Sequence, residues 1–150
     1  MLNPEMVLAE MKFIFLDFDG VLHPVTADTD KFFCQAGLLI EAIGGLEQKV
    51  QIVISSGYRN LRPLAEIKTS LPKPLGDLIV GVTPVCSGRH QRFREIAAYL
   101  KQYAPKGEWR ALDDDALGFP KKCSQLILCD RYVGLDQWNA GRLRRWLKEV

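Results

Sequence analysis

The sequence predicts an α/β fold in which helices cover both faces of a largely parallel, five-stranded sheet. Short apolar runs alternate along the chain with segments whose apolar residues recur at helical spacing, as in strand-helix-strand units. The runs hold too few polar residues for strands with one face in solvent, so both sheet faces should be buried. With 150 residues, 47% of them hydrophobic, the chain can bury one substantial core. We therefore expect a single three-layer domain over residues 1–150, with right-handed crossovers.

The first strand and the first helix follow from the segment before residue 50. Lys12–Leu16 reads KFIFL and ends on Asp17, which is typical of a strand buried on both faces. The polar stretch HPVTADTDK comes next. Apolar residues at i, i+3, i+4 and i+7 then predict an amphipathic helix: Leu39, Ala42, Ile43 and Leu46.

The middle of the chain predicts two more strands. Val50–Ile54 reads VQIVI and stops at the sequence SSG, as expected for a buried strand that runs into a tight turn. A helix is expected from about Asn60. Asp77–Val82 is predicted as the third strand, and Pro84 closes it.

The last third of the chain predicts two helices and two strands. A helix ends before Pro105 and has apolar residues at helical spacing: Phe93, Ile96, Ala97 and Leu100. Trp109–Leu112 and Leu126–Cys129 are predicted strands, the first followed by the acidic run DDD. The final helix should begin after Asp136 as N-cap, and four apolar residues at helical spacing define it: Leu143, Trp146, Leu147 and Val150.

Composition disfavours several classes of protein. A formal net charge of +2 is far from the profile of a dedicated nucleic-acid binder. The four cysteines lack paired CxxC spacing, which favours reduced thiols in a cytoplasm over zinc or disulfides. The N-terminal sequence MLNPEMVLAEMKF lacks the basic start and apolar run of a signal peptide. No segment approaches the roughly 20 apolar residues of a membrane span.

Acidic and hydroxyl side chains follow three of the predicted strands. In open α/β sheets ligands bind beyond the carboxyl ends of the strands, where these residues should meet. They are Asp17, Asp19, Ser55, Ser56, Asp113, Asp114 and Asp115. Taken separately, the sequence DFDG could be a simple turn, the serines caps, and the run DDD a solvated loop or cap.

Together these residues predict phosphoryl-transfer chemistry. One carboxylate of the pair Asp17 and Asp19 can attack phosphorus, while the other protonates the leaving oxygen and later deprotonates water. Gly20 lets the backbone bend sharply after the pair. Mg²⁺ prefers carboxylate and phosphate oxygens, so Asp113 and Asp114 would complete a magnesium site.

The segment FLDFDGVLHP resembles the first signature of phosphatases of the haloacid dehalogenase (HAD) superfamily. The resemblance implies a Rossmann-like HAD fold, with Asp17 as nucleophile and Asp19 as acid/base. Asp19 would also lend its backbone carbonyl to the metal. VISSGYR is similar to the second signature, which makes Ser55 or Ser56 the phosphate ligand, and WRALDDD is similar to the fourth, which makes Asp113 and Asp114 metal ligands.

The third signature departs from the family pattern. It is normally a lysine, whereas GRHQRFREI offers only arginines. Arg92 matches best by its spacing to the helix, with Arg89 and Arg94 as alternatives. Arginine is not a simple substitute for lysine, and a solvated basic helix face is the competing interpretation.

The intervals that hold a cap domain in many HAD enzymes are short here. There is room for a flap and a helix-strand unit, but not for another domain, in the intervals from Asp19 to Ser55 and from Ser56 to Arg92. An open site suits a large phosphate ester such as a nucleic-acid end or a phosphoprotein. The segments LDFDGVLHP, VISSGYR, GVTP, REI and ALDDD particularly resemble the HAD domain of multidomain RNA-repair proteins, whose expected activity is end-healing phosphatase.

Three other functions compete with this prediction. A dehalogenase needs neither Asp19 nor Asp113 and Asp114. A response-regulator receiver would carry its phosphorylated aspartate after the third strand, where DLIVGVTP has none. A catalytically weak or inactive HAD-like binding or regulatory module is suggested by the absent lysine. His23 is compatible with a role near the site, in a turn or on the surface, and the sequence predicts no oligomeric state.

Overall fold

The computed structural model describes residues 10–150 and contains a five-stranded, entirely parallel sheet. The strand order is β3-β2-β1-β4-β5. The strands are β1 (Lys12–Leu16), β2 (Val50–Ile54), β3 (Ile79–Val82), β4 (Glu108–Asp113) and β5 (Leu126–Leu128). The α-helices are α1 (Ala36–Ile43), α2 (Leu64–Ser70), α3 (Lys73–Gly76), α4 (Gln91–Tyr103) and α5 (Gln137–Lys148). The predicted α/β class and its five strands are confirmed.

The observed helix boundaries differ from the predicted ones where proline or glycine prevents the helix that the apolar pattern predicts. The helix expected from Asn60 begins at Leu64, since Pro63 follows a short 3₁₀ turn and occupies its N-cap. α1 ends before Leu46 because Gly44 and Gly45 follow it, and Gly45 has a φ of 83°. At the start of α5, Asp136 is the N-cap as predicted, and its carboxylate accepts from Asn139 N–H at 2.8 Å. At its other end α5 stops at Lys148, so the predicted helical residue Val150 lies outside it and is exposed.

Two apolar cores fill the two faces of the sheet. α1 and α5 pack on one face, where Ile14, Leu16 and Ile52 are fully buried. α4 packs on the other face against Phe13 and Phe15. The sheet therefore has helices on both faces, and β1 lies at its centre. No cap domain interrupts the described residues.

The register of the sheet aligns the residues that follow the strands. Leu16 pairs with Ile54 of β2 and with Leu112 of β4. The backbone bonds continue one step further, since Ser55 N–H donates to Leu16 and Asp17 N–H donates to Leu112. Asp17, Ser55 and Asp113 consequently stand side by side at the carboxyl edge, with side chains on the face that α4 covers.

Two predictions concern targeting and membranes. The absence of a signal-peptide pattern was inferred chiefly from residues 1–9, which lie outside the described residues. Within residues 10–150, no helix has both the length and the apolar character needed to cross a membrane.

Candidate active site

Three carboxylates meet at the carboxyl edge of the sheet. One oxygen from each of Asp17, Asp113 and Asp114 lies within 4.8 Å of the other two. Asp17 and Asp113 are buried and Asp114 is partly buried. The predicted convergence of these aspartates is thus observed. Such close carboxylates repel each other unless a cation or protons lie between them.

Burial makes ionisation of this cluster costly. Burial first, and then repulsion from Asp113, raise the pKa of Asp17 from 3.8 to about 9, although Arg92 and the Phe18 N–H oppose the rise. Burial likewise raises the pKa of Asp113 to about 7, against the attraction of Arg92. Oxygen-rich, electron-donating sites of this kind suit a hard divalent cation such as Mg²⁺. The residues present therefore fit the metal that the sequence predicts.

Arg92 is the arginine that reaches the cluster. Its Nε lies 3.2 Å from Asp113 Oδ2, and its Nη1 lies 3.6 Å from Glu95 Oε1. Arg89 is exposed, and Arg94 donates to the backbone carbonyl of Ser87. Of the three candidates for the lysine position, the structure brings only Arg92 to the carboxylates.

A buried glutamate behind Arg92 was missed by sequence reasoning. Glu95 is fully buried, and its Oε2 accepts from Arg59 Nη2 at 2.7 Å and from Cys86 N–H at 3.0 Å. The carboxylate thereby connects Arg59, which follows β2, to Arg92 on α4. The apolar pattern of α4 gives no signal for it, because Glu95 lies about 100° around the helix from Ile96, away from the face that Phe93, Ala97 and Leu100 mark.

The two serines after β2 have different environments. Ser55 Oγ is buried and has no hydrogen-bond partner among the described residues. Ser56 Oγ accepts from Tyr58 N–H at 3.3 Å and so caps the 3₁₀ turn that follows. A buried hydroxyl without a partner is costly, and it is available to a ligand. Asp115 is also a cap, because its Oδ1 accepts from Leu117 N–H at 3.1 Å.

The Asp19 carboxylate stands apart from the acidic cluster. Its side chain is 56% exposed, and its Oδ1 lies 2.7 Å from Nε2 of His23. The prediction that its backbone carbonyl reaches the metal stays a prediction. His23 is fully buried, and its ring stacks on Phe32 with centroids 4.4 Å apart. The Asp19 carboxylate is therefore open to solvent and held by a buried imidazole.

Gly20 brings the flap, which is the segment of residues 17–35 between β1 and α1, against the acidic cluster. Its φ is 79°, which disfavours any side chain. A Cβ added there would lie 2.1 Å from Asp114 Oδ2. Gly20 N–H also donates to the His23 carbonyl at 2.9 Å, which closes the turn that carries Asp19 and His23.

The comparisons with known proteins agree with this arrangement. The family described as "HAD domain in Swiss Army Knife RNA repair proteins" matches residues 13–140. That range includes β2 to β5, all of β1 except Lys12, and every residue of the site. Comparison with curated proteins and with solved structures gave no match.

Proposed function

The chain belongs to the family of HAD domains in Swiss Army Knife RNA repair proteins, and from this premise we propose that it is a phosphatase. The proposed reaction is Mg²⁺-dependent hydrolysis of a phosphate monoester through an aspartyl-phosphate at Asp17. One observation carries the proposal: Asp17 shares a buried strand edge with two carboxylates, an unpartnered hydroxyl and an arginine.

Asp17 is the nucleophile in the proposed first step. A carboxylate oxygen of Asp17 forms a bond to phosphorus as the bond to the ester oxygen breaks. Asp19 gives its proton to the departing oxygen, so the alcohol leaves neutral. Asp19 has room for this role because its carboxylate is half exposed and is not one of the three clustered carboxylates.

Water completes the proposed cycle. Asp19, now ionised, takes a proton from water, whose oxygen bonds to phosphorus as the bond to Asp17 breaks. Inorganic phosphate leaves, and both aspartates return to their starting states. The hydrogen bond from Phe18 N–H to Asp17 Oδ1, 2.9 Å long, holds one oxygen of the nucleophile in place and leaves the other for the attack.

Positively charged and hydroxyl groups would hold the transferred phosphoryl group. Ser55 Oγ has no other partner in the described part of the chain, which makes it the better choice over Ser56. Arg92 supplies a fork of donors that can bind phosphoryl oxygens. Asp17, Asp113 and Asp114 would hold Mg²⁺, together with the backbone carbonyl of Asp19. When bound, the ion would offset the negative charge of the carboxylates and the phosphate.

The absence of a cap in the described residues supports a large substrate. Without a cap, phosphate on a macromolecule can reach Asp17, and the family description names RNA repair. We therefore propose a nucleic-acid end as the substrate, with a phosphoprotein as the alternative. The four free cysteines fit a reducing compartment, so the cytoplasm is proposed as the location of this single domain.

A second candidate function rests on Arg92. Arginine stands where active relatives are expected to carry lysine, and its ion pairs with Asp113 and Glu95 could hold it away from a phosphoryl group. A weak or inactive module that binds phosphorylated partners would follow.

Hydrolysis assays separate the two candidates. The protein is incubated with para-nitrophenyl phosphate and Mg²⁺, then with EDTA, and the assay is repeated with Asp17→Asn. Turnover that disappears in both controls supports the phosphatase. Turnover that survives Asp17→Asn rejects the mechanism, and no turnover on small esters, phosphopeptides or 3′- and 5′-phosphorylated oligonucleotides favours the binding module.

A further inference from the structure

Three arginines line one groove away from the acidic cluster. The groove has a volume of about 200 Å³ and lies between β4, β5 and α5. Arg110 comes from β4, whereas Arg142 and Arg145 come from α5. Glu149 is the one carboxylate in its lining among the described residues. The groove is therefore locally basic, although the whole chain is close to neutral.

The groove carries more positive than negative charge, since its lining has three arginines and one glutamate. Within residues 10–150, none of the three arginines forms an ion pair with a carboxylate. Arg110 is held in place, because its guanidinium lies over the Trp146 ring at 4.7 Å and donates to the Trp109 carbonyl at 2.8 Å. One glutamate cannot balance three arginines, so the guanidinium groups repel one another, and a bound anion would relieve that repulsion.

One exposed face of α5 leads from the groove toward the candidate active site. Trp138, Arg142 and Arg145 fall at i, i+4 and i+7 and so share a face of the helix. Trp138 lies in the first turn and is 76% exposed, which is unusual for so large an apolar side chain. The segment before α5 is bonded to the flap, since Leu135 N–H donates to the Val21 carbonyl at 2.7 Å.

We propose that Trp138, Arg142, Arg145 and the groove bind the phosphodiester backbone of a single-stranded nucleic acid whose phosphorylated end lies at Asp17. The inference rests on the proposed function and adds to it a second, extended binding surface. Guanidinium groups bind phosphate oxygens through paired donors, and an exposed indole can stack on an unpaired base. The alternation of an aromatic ring with basic groups suits such a strand better than an acidic peptide, which offers no base to stack.

Helix geometry sets the length of strand required. Trp138 and Arg145 are separated by about 10 Å along α5, at about 1.5 Å of rise per residue. The groove lies at the Arg145 end of this helix face, and Trp138 lies in the first turn of α5. A dinucleotide bound at Asp17 should therefore not reach Arg145, whereas a ten-nucleotide strand should.

Binding is measured first, in a form that does not depend on catalysis. Asp17→Asn protein is titrated into a 5′-fluorescein RNA decamer that lacks terminal phosphate. The double variant Arg142→Glu/Arg145→Glu should bind at least about tenfold more weakly. The slope of log K against log salt concentration should become shallower by about 0.7 for each lost phosphate contact. Trp138→Ala should weaken binding several-fold, since stacking contributes about 1–3 kcal/mol per base.

The matched control reverses two charges elsewhere. Lys101 and Lys106 are exposed and belong to the opposite layer, so Lys101→Glu/Lys106→Glu should leave the affinity within about twofold. Equal losses in both double variants, or no loss in either, would overturn the proposal. Arginine-dependent binding of polyglutamate as tight as that of RNA would overturn the nucleic-acid assignment. If the double variant Arg142→Glu/Arg145→Glu has a lowered melting temperature, Arg142→Gln/Arg145→Gln is used in its place.

Kinetics then separate this proposal from the phosphatase proposal. In the charge-reversal variant, KM for a phosphorylated decamer should rise about tenfold, while KM for a phosphorylated dinucleotide and turnover of para-nitrophenyl phosphate stay unchanged. If the protein binds the decamer through its arginines but has no phosphatase activity, the proposal for the groove stands and the phosphatase proposal is rejected. If the charge-reversal variant is an active phosphatase with an unchanged KM for the decamer, the phosphatase proposal stands and the groove proposal is rejected.

Discussion

His23 Nε2 donates a hydrogen bond to the Asp19 carboxylate over 2.7 Å. The Phe33 N–H donates to Nδ1 of the same ring at 3.3 Å, so Nδ1 is the acceptor and the proton is on Nε2. Stacking on Phe32 fixes the plane of the imidazole. A backbone amide thus sets the tautomer of His23, and His23 in turn orients Asp19.

The first prediction concerns this pair. His23→Phe keeps an aromatic ring but removes the donor to Asp19, so kcat should fall about tenfold or more while KM changes little. His23→Gln can still donate to Asp19 and should recover part of the loss. The measurement is steady-state hydrolysis of para-nitrophenyl phosphate with a pH profile. Equal activity of His23→Phe and the wild type would remove His23 as a positioning residue.

The second prediction concerns stability without metal. Because the folded protein raises the pKa of Asp17 from 3.8 to about 9, the EDTA-treated protein should lose stability as pH rises through that window. Mg²⁺ should restore stability at pH 8 and have little effect at pH 5. Asp17→Asn should raise the melting temperature of the metal-free protein at pH 8 by a few degrees and reduce the Mg²⁺ effect. Thermal melts at both pH values test this, and a metal-free protein that grows more stable toward pH 8 would contradict it.

The third prediction concerns Arg92. Arg92→Ala leaves Asp113 and Glu95 without a shared counter-charge and should lower kcat/KM at least about 100-fold. Arg92→Lys keeps the charge and should retain more activity than Arg92→Ala. The matched control is Arg89→Ala, which changes an exposed arginine and should stay within about twofold. A loss in Arg89→Ala as large as that in Arg92→Ala would mean that Arg92 has no special role.

The fourth prediction separates the two serines. Ser55→Ala removes the unpartnered hydroxyl and should lower activity at least about tenfold without loss of stability, since no hydrogen bond within the described chain is broken. Ser56→Ala removes a cap and should cost about 1 kcal/mol of unfolding free energy, with activity largely retained. Urea denaturation and hydrolysis assays on both variants check this. The opposite pattern would make Ser56 the phosphate ligand.

Sequence patterns predicted the strands and the residues that follow them better than the contacts beyond the strands. Asp17 and Asp113 were identifiable because each follows a continuous apolar run, and parallel pairing then places them together. The strand order β3-β2-β1-β4-β5 does not follow from the periodicity of apolar residues, because periodicity does not show which strands are neighbours. The pairing of His23 with Asp19 depends on the positive φ of Gly20, which folds the flap back on itself. The burial of Glu95 could not be predicted, because a charged side chain is buried only where it has a partner, and the pairing with Arg59 is seen only in the folded structure.

The central position of β1 also affects how the protein can acquire activity. Its two neighbours come from distant parts of the chain, as the pairing of Phe15 with Val53 and with Ala111 shows. During synthesis Asp113 and Asp114 emerge about 100 residues after the nucleophile. A nascent or truncated chain that lacks β4 would hold Asp17 but not two of the three clustered carboxylates. Catalytic competence should therefore report on long-range strand pairing, a slow event in folding, rather than on local structure.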